Sequence, residues 1–239
     1  MWYSTSVKRF LFSVIIALLL LFSSAAAVSS LTVDALEAEY GLLWLGKYEG
    51  GDYQSSSTPS PILNTVGLTV PLDFENGFLL QPGLKVFGTD YLYTGSRAVP
   101  AGIEDKDAFY VLAMLLKTPV VFDFPLNENL VLSGEAGPSF LLRVPLFAYD
   151  EGESMRSDMT SYLFGSLRFL YPELGFSMRW KLNRSIALGF RTEFYPPIFH
   201  FWDGEDVPFY DQMMVDALMT LRFNLGGGAS EEGNGEGET

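Results

Sequence analysis

Eight stretches of this chain alternate apolar and polar residues with a period of two. A period of two sends successive side chains to opposite faces of a strand, so each stretch predicts a strand with one apolar and one polar face. Leu36–Trp44 sets Tyr40 and Leu42 against Glu37, Glu39 and Gly41, and residues 62–72 set Val66 and Leu68 against Thr65, Gly67 and Thr69. Residues 80–86 oppose Leu84 to Gln81, Gly83 and Lys85, and residues 110–124 oppose Met114 and Phe122 to a face with Lys117 and Asp123. Residues 130–142 place Ser133, Glu135, Gly137, Ser139 and, just beyond, Arg143 on the polar side. Leu174, Phe176, Met178 and Trp180 then face away from Glu173, Gly175, Ser177, Arg179 and Lys181. The last two stretches oppose Leu188 and Phe190 to Gly189, Arg191 and Glu193, and Met219 and Leu221 to Asp216, Thr220, Arg222 and Asn224.

The connections have a rhythm of their own. Residues 45–61, 93–106, 147–169 and 196–211 are long, and residues 73–77, 125–129 and 183–185 are short, in strict alternation. A soluble sandwich also alternates polarity along its strands, but it has no reason to keep one end long and the other short. A membrane barrel does: long loops outside, short turns inside, an even strand count, and both termini on the short-turn side. Apolar faces rich in large residues, with repeated Gly on the polar faces, point to lipid outside and a crowded lumen inside. The expected fold is therefore all-β, an eight-stranded antiparallel transmembrane β-barrel of up-and-down topology over residues 28–225. Pro82 and Pro138 fall inside these strands and are read as local bulges, because proline removes a ladder hydrogen bond.

Mean hydropathy is +0.18, yet beyond the N-terminus no window offers the run of about 18 apolar residues that a helical span needs. Lys8 and Arg9, the apolar run from Phe10 to Phe22 and Ala25-Ala26-Ala27 predict a secretory signal peptide over residues 1–27. Its removal takes two of the 15 basic residues and none of the 29 acidic ones, leaving 13 − 29 = −16. Such acidity excludes a nucleic-acid binder, which must first neutralise phosphate. With no cysteine, disulfides, zinc–thiolate sites and iron–sulfur clusters are excluded as well. Residues 226–239, rich in Gly and Glu, predict a disordered acidic tail.

The stretch Leu116-Lys117-Thr118-Pro119-Val120-Val121-Phe122, followed by Gly134-Glu135-Ala136-Gly137-Pro138-Ser139, resembles the fourth and fifth strands of the bacterial outer membrane protein β-barrel domain family, related to small OmpA-type and OmpW-type barrels. The likeness covers about thirty residues well and the rest through hairpin rhythm. It implies a bacterial outer-membrane location, outer-membrane lipid and the outer-membrane assembly machinery as partners, and a monomer. That machinery reads a terminal aromatic in many such barrels. Here Phe223 is followed by further residues, so either the signal is read at Leu221–Leu225 or assembly follows other rules.

The candidate site is the set of charges on the polar faces: Glu37, Glu39, Lys85, Glu135, Arg143, Glu173, Arg179, Lys181, Arg191, Glu193, Asp216 and Arg222. Eight strands enclose an interior just wide enough for side chains, so these charges are expected to form a structural ladder of ion pairs rather than a selective pore. No catalytic residue, cofactor or metal site is expected. His200 is the one histidine, which excludes multi-histidine metal sites, and no serine stands near it in the pattern of a lipid-modifying barrel enzyme. Tyr40, Trp44, Tyr48, Tyr91, Tyr93, Tyr171, Tyr195, Trp202 and Tyr210 are expected to form an aromatic belt. The acidic runs at residues 104–105, 150–153 and 203–206 could bind calcium or a cationic extracellular ligand, but none has the spacing of an EF-hand loop, so they are expected to be solvated loop surface. Residues 159–170 break the strand phase at Arg168 and predict a short helix over the barrel mouth, with Asp158 as its cap. The function expected is a non-enzymatic, surface-exposed barrel with adhesive loops. The alternatives are a narrow OmpW-like channel for small hydrophobic molecules, which Leu79, Phe87 and Leu115 would line, and, remotely, a lipid-modifying enzyme.

Overall fold

The computed structural model describes residues 31–33, 35–48, 60–74, 78–101, 108–148 and 155–225. The expected signal peptide, the acidic tail and the acidic runs at 104–105 and 150–153 lie outside these residues. Among the described residues there are thirteen strands: β1 (Leu31–Val33), β2 (Ala35–Leu45), β3 (Ile62–Thr69), β4 (Leu72–Phe74), β5 (Phe78–Leu80), β6 (Gly83–Tyr93), β7 (Ala98–Ala101), β8 (Ala108–Lys117), β9 (Val120–Pro125), β10 (Leu130–Ala148), β11 (Leu170–Lys181), β12 (Ile186–Tyr195) and β13 (Met214–Asn224). Eight of them close a ring in the order β2-β3-β6-β8-β10-β11-β12-β13, and β13 returns to β2 from Met214↔Leu45 to Asn224↔Ala35. Every pairing is antiparallel, so closure leaves the ring no open edge. The short strands β1, β4, β5 and β9 continue their neighbours at the short-turn end.

The breaks between these short and long strands follow proline. Pro71, Pro82 and Pro119 each end a run of ladder hydrogen bonds, and single backbone bonds bridge the gap, from Val70 N to Pro82 O at 2.9 Å and from Gln81 N to Pro119 O at 2.9 Å. Pairing resumes in the same register: Thr69↔Gly83 becomes Leu72↔Leu80, three residues on in one strand and three back in the other. The prolines pinch the ladder and do not bulge it. Pro138 likewise sits in unbroken pairing opposite Pro172, and the one register shift in β10 falls between Pro145 and Phe147. The expected bulges at Pro82 and Pro138 are thereby corrected: a missing N–H interrupts bonding but leaves both chains in step.

Parity decides which side each residue takes. On β2 the odd-numbered residues from Ala35 to Leu45 are buried, and Tyr40 and Leu42 are 57% and 52% exposed on the outside. Val66, Leu68, Phe122, Leu174, Phe176, Met219 and Trp180 are exposed in the same way around the wall. A soluble monomer exposes apolar patches of at most a few hundred Å². A continuous apolar girdle on a closed ring instead matches the lipid-facing band of a membrane-spanning barrel. No helix among the described residues is long and apolar enough to cross a membrane.

Candidate functional site: the filled lumen and its cap

The lumen holds two layers of different chemistry. Its middle is a buried charge cluster to which β2, β6, β8, β10, β11, β12 and β13 each contribute at least one side chain. Lys85 Nζ contacts Glu193 and lies 2.7 Å from Asp216 Oδ2. Lys117 Nζ contacts Glu193, lies 3.0 Å from Glu39 Oε1 and stands 4.0 Å from Glu173 Oε1. Arg191 reaches Glu37 Oε1 at 2.6 Å through Nη2, touches Glu39 through Nη1, and approaches Glu135 Oε1 at 3.3 Å through Nε. Neutral donors complete the layer: Ser139 Oγ donates to Glu173 Oε2 at 2.6 Å, the Tyr195 hydroxyl to Glu193 Oε2 at 2.6 Å, and Gln81 Nε2 to Glu37 Oε1 at 3.2 Å.

Glycines on the lumen face make room for these carboxylates. Gly67 stands opposite Glu39 in the β2–β3 pairing, and a Cβ on it would come within 2.8 Å of Glu39 Oε2. Gly175 pairs with Glu135 on one side and Glu193 on the other, and the Glu135 carboxylate lies directly over it. A larger residue at either position would push a charged side chain out of the cluster.

Of the twelve residues expected to line the lumen, Glu37, Glu39, Lys85, Glu135, Glu173, Arg191, Glu193 and Asp216 meet in this layer, each at most 5% exposed. Arg143 is buried too, but higher, away from the carboxylates. Arg179, Lys181 and Arg222 sit at the short-turn end: Arg179 pairs with Asp123 at 2.7 Å, Lys181 is exposed, and Arg222 Nε bonds Asn224 Oδ1 at 3.1 Å. Lys117 is missing from the expected set although it holds three of the carboxylates; its place on the polar face of its strand was the signal that marked it.

Above the charges lies an apolar cluster. Leu43, Phe87, Phe109, Val111, Leu115 and Leu141 pack with Tyr91, Tyr171 and Tyr195, and with side chains that descend from the loops. These three tyrosines were expected in an interfacial belt; their strand parity turns them inward, and each is at most 1% exposed. Phe87 and Leu115, expected to line an apolar gap, are buried inside this cluster. Leu79 lies at the other end of the barrel, half-buried.

The cap is a short helix, α1 (Arg156–Phe164), whose Met159, Tyr162 and Leu163 enter the cluster. It begins earlier than expected and ends six residues before Leu170, which opens β11. Its N-cap is Met155 with no side-chain cap bond, so Asp158 lies within the first turn instead. Arg143 holds the cap from below, donating to the Arg168 carbonyl at 2.9 Å, the Leu163 carbonyl at 3.5 Å and Gln212 Oε1 at 2.9 Å. Carbonyls at the end of a helix carry partial negative charge, which suits a guanidinium.

Arg168 breaks the strand phase because it belongs to this cap. It bonds Glu205 Oε1 at 2.8 Å and lies 4.1 Å from the centre of the Tyr162 ring. Arg97 contacts Asp211 and approaches Glu205 Oε2 at 3.4 Å. Burial opposes the Arg97 charge, but Asp211 beside it outweighs that and holds the guanidinium above its ordinary value. Burial, reinforced by Glu205, pushes the Tyr162 phenol up. His200 engages both ring nitrogens, with Asp203 Oδ2 at 3.1 Å and the Asp211 carbonyl at 2.9 Å. The expectation that residues 203–206 form a solvated acidic surface is corrected for Asp203 and Glu205, which are spent on Arg97, Arg168 and His200 to tie the long connections together.

No protein-family model and no curated protein matches the sequence. Among solved structures the chain is similar to Neisserial surface protein A, at 10% identity and a TM-score of 0.44 over 82% of this chain and 100% of that one. It is also similar to Ail, the attachment invasion locus protein of Yersinia pestis, solved in complex with the heparin analogue sucrose octasulfate, at 10% identity and a TM-score of 0.39 over 81% and 99% of the two chains. A third similarity is to a de novo designed transmembrane β-barrel, at 8% identity and a TM-score of 0.33 over 81% and 98%.

Proposed function

We propose that this chain is a sealed, non-enzymatic barrel of the bacterial outer membrane that presents its long connections at the cell surface. One observation carries the reading: among the described residues, ion pairs occupy the middle of the lumen and an apolar cluster lies above them, with α1 packed on it. A closed ring of antiparallel strands with an apolar exterior suits the outer membrane, where barrels are the spanning form. The working surface is then the outer face of the long connections, and an extracellular ligand would be engaged there by a single chain. His200 has both nitrogens occupied, which supports a structural role over an acid–base one.

Two measurements test this together. The full chain, folded in a planar bilayer, is expected to give no unitary conductance, and intact cells are expected to lose the long connections to external protease while the barrel persists. Steady conductance by the wild-type chain would favour the narrow-channel reading instead. Protection of the loops in intact cells would overturn the surface reading.

A further inference from the structure

The charged layer does not balance. Among the described residues, six buried carboxylates (Glu37, Glu39, Glu135, Glu173, Glu193 and Asp216) face three buried cations, Lys85, Lys117 and Arg191. Isolated charge in a low-dielectric interior is costly, so the excess is met either by protonation or by a counter-charge. The unpartnered oxygens show where. Glu135 Oε2 and Glu173 Oε1 are buried with no hydrogen-bond partner, and Glu135 Oε1 has only the Arg191 Nε approach at 3.3 Å. Each side chain is at most 1% exposed.

These two carboxylates converge with that of Glu193, whose Oε1 meets Lys117 and whose Oε2 meets Lys85 and the Tyr195 hydroxyl. Glu135, Glu173 and Glu193 come from three adjacent strands, and each offers a carboxylate oxygen within 4.8 Å of the other two. Gly175, paired with both Glu135 and Glu193, removes the side chain that would otherwise separate them. Oxygens around a calcium ion lie 2.3–2.6 Å from it, so three oxygens no more than 4.8 Å apart can share one ion. Magnesium, at about 2.1 Å, demands a tighter octahedral cage. We propose that Glu135, Glu173 and Glu193 form an all-oxygen site for a hard divalent cation of calcium size, which staples β10, β11 and β12 together inside the lumen. Lys117 and Arg191 flank the site. They moderate its charge and keep it from drawing in a second ion.

The test uses the full chain, folded in detergent micelles and checked by heat-modifiable migration. Equilibrium dialysis with ⁴⁵Ca²⁺ is expected to show one saturable lumen site, and Tb³⁺ is expected to luminesce on tyrosine excitation, because the Tyr195 hydroxyl bonds Glu193 Oε2 at 2.6 Å. Glu135→Gln is expected to weaken Ca²⁺ binding about tenfold or more, matching the loss expected when one of the ligating carboxylates is neutralised. Tyr195→Phe leaves the three ligands in place, so it is expected to keep the stoichiometry while the Tb³⁺ signal falls severalfold. Absence of saturable binding at millimolar Ca²⁺ overturns the proposal. So does binding that survives both Glu135→Gln and Glu173→Gln, which would place the ion on the acidic loops. A Tb³⁺ signal indifferent to Tyr195→Phe would do the same, whether or not the carboxylate variants fold.

Discussion

Replacing Lys117 with methionine removes a charge from the lumen at nearly constant shape. Lys117 Nζ lies 3.0 Å from Glu39 Oε1, touches Glu193 and is fully buried, so both attractions act out of contact with water. At an effective dielectric of about 20, one such pair at 3 Å amounts to roughly 5 kcal/mol of attraction, most of which offsets the desolvation of the ammonium. The net cost of removing one partner is the relevant quantity, and buried pairs broken on one side lose about 3–5 kcal/mol. Lys117→Met is therefore expected to shift the folding equilibrium by at least about 100-fold, read as a urea midpoint by tryptophan fluorescence in lipid vesicles. The companion variant Lys117→Met/Glu39→Gln separates charge from packing. If an uncompensated carboxylate is the cause, neutralising Glu39 recovers about 1.5 kcal/mol or more, whereas lost packing would make the two changes additive. A loss below about 1 kcal/mol in the single variant would refute the reasoning, because it would mean that the layer is hydrated or already protonated.

Other consequences follow from the same geometry. Arg143→Leu removes the donor to the Leu163 and Arg168 carbonyls and is expected to raise amide exchange in α1 and residues 165–168 at least tenfold, with the strands unchanged; equal protection in both proteins would show that the cap stands without it. Phe176→Arg places a charge on the lipid face, where Phe176 is 53% exposed, and is expected to cost about 2–4 kcal/mol of folding into bilayers if it lies near the midplane, against almost nothing in a water-facing wall. The Tyr162 phenol is raised by burial, so its folded form keeps the proton after the unfolded form has begun to lose it. The cap should thus be indifferent to pH below about 10, and its stability should fall as pH rises beyond that, measured by exchange of α1 amides, with Tyr162→Phe reducing the dependence.

The wall of this barrel was legible because parity is a property of sequence. Each alternating run becomes a strand of the ring or its continuation, and the long–short rhythm becomes its two ends. Glu37, Glu39, Glu135 and Glu193 could be placed in the lumen for the same reason. Parity says nothing of height, however. Arg143 shares a face with Glu135 but lies eight residues up the strand, and it meets carbonyls rather than carboxylates. Tyr91, Tyr171 and Tyr195 have the composition of an interfacial belt, and their parity, had it been followed to the strand ends, would have turned them inward. What could not be read was how the cap is held. Asp203 and Glu205 look like solvated loop acids until Arg168 and Arg97, remote in sequence, are brought to them by the closure of the ring.

The two layers of the lumen explain one another. Eight strands leave an interior that side chains can fill, so each interior level is either apolar or must satisfy its own polar groups. The apolar upper level needs a lid, because a barrel mouth lined by Phe87, Phe109 and Leu115 would otherwise present grease to water; α1 and the loop aromatics supply it. Buried beneath that cluster, the charges interact through a poorly screening medium, which strengthens each ion pair and makes any unmatched carboxylate more expensive. The cap and the charge layer are thus coupled: loosening α1 through Arg143→Leu should hydrate the layer and reduce the penalty of Lys117→Met. The double variant should then be less destabilised than the sum of its parts, although Arg143 and Lys117 share no partner in the structure.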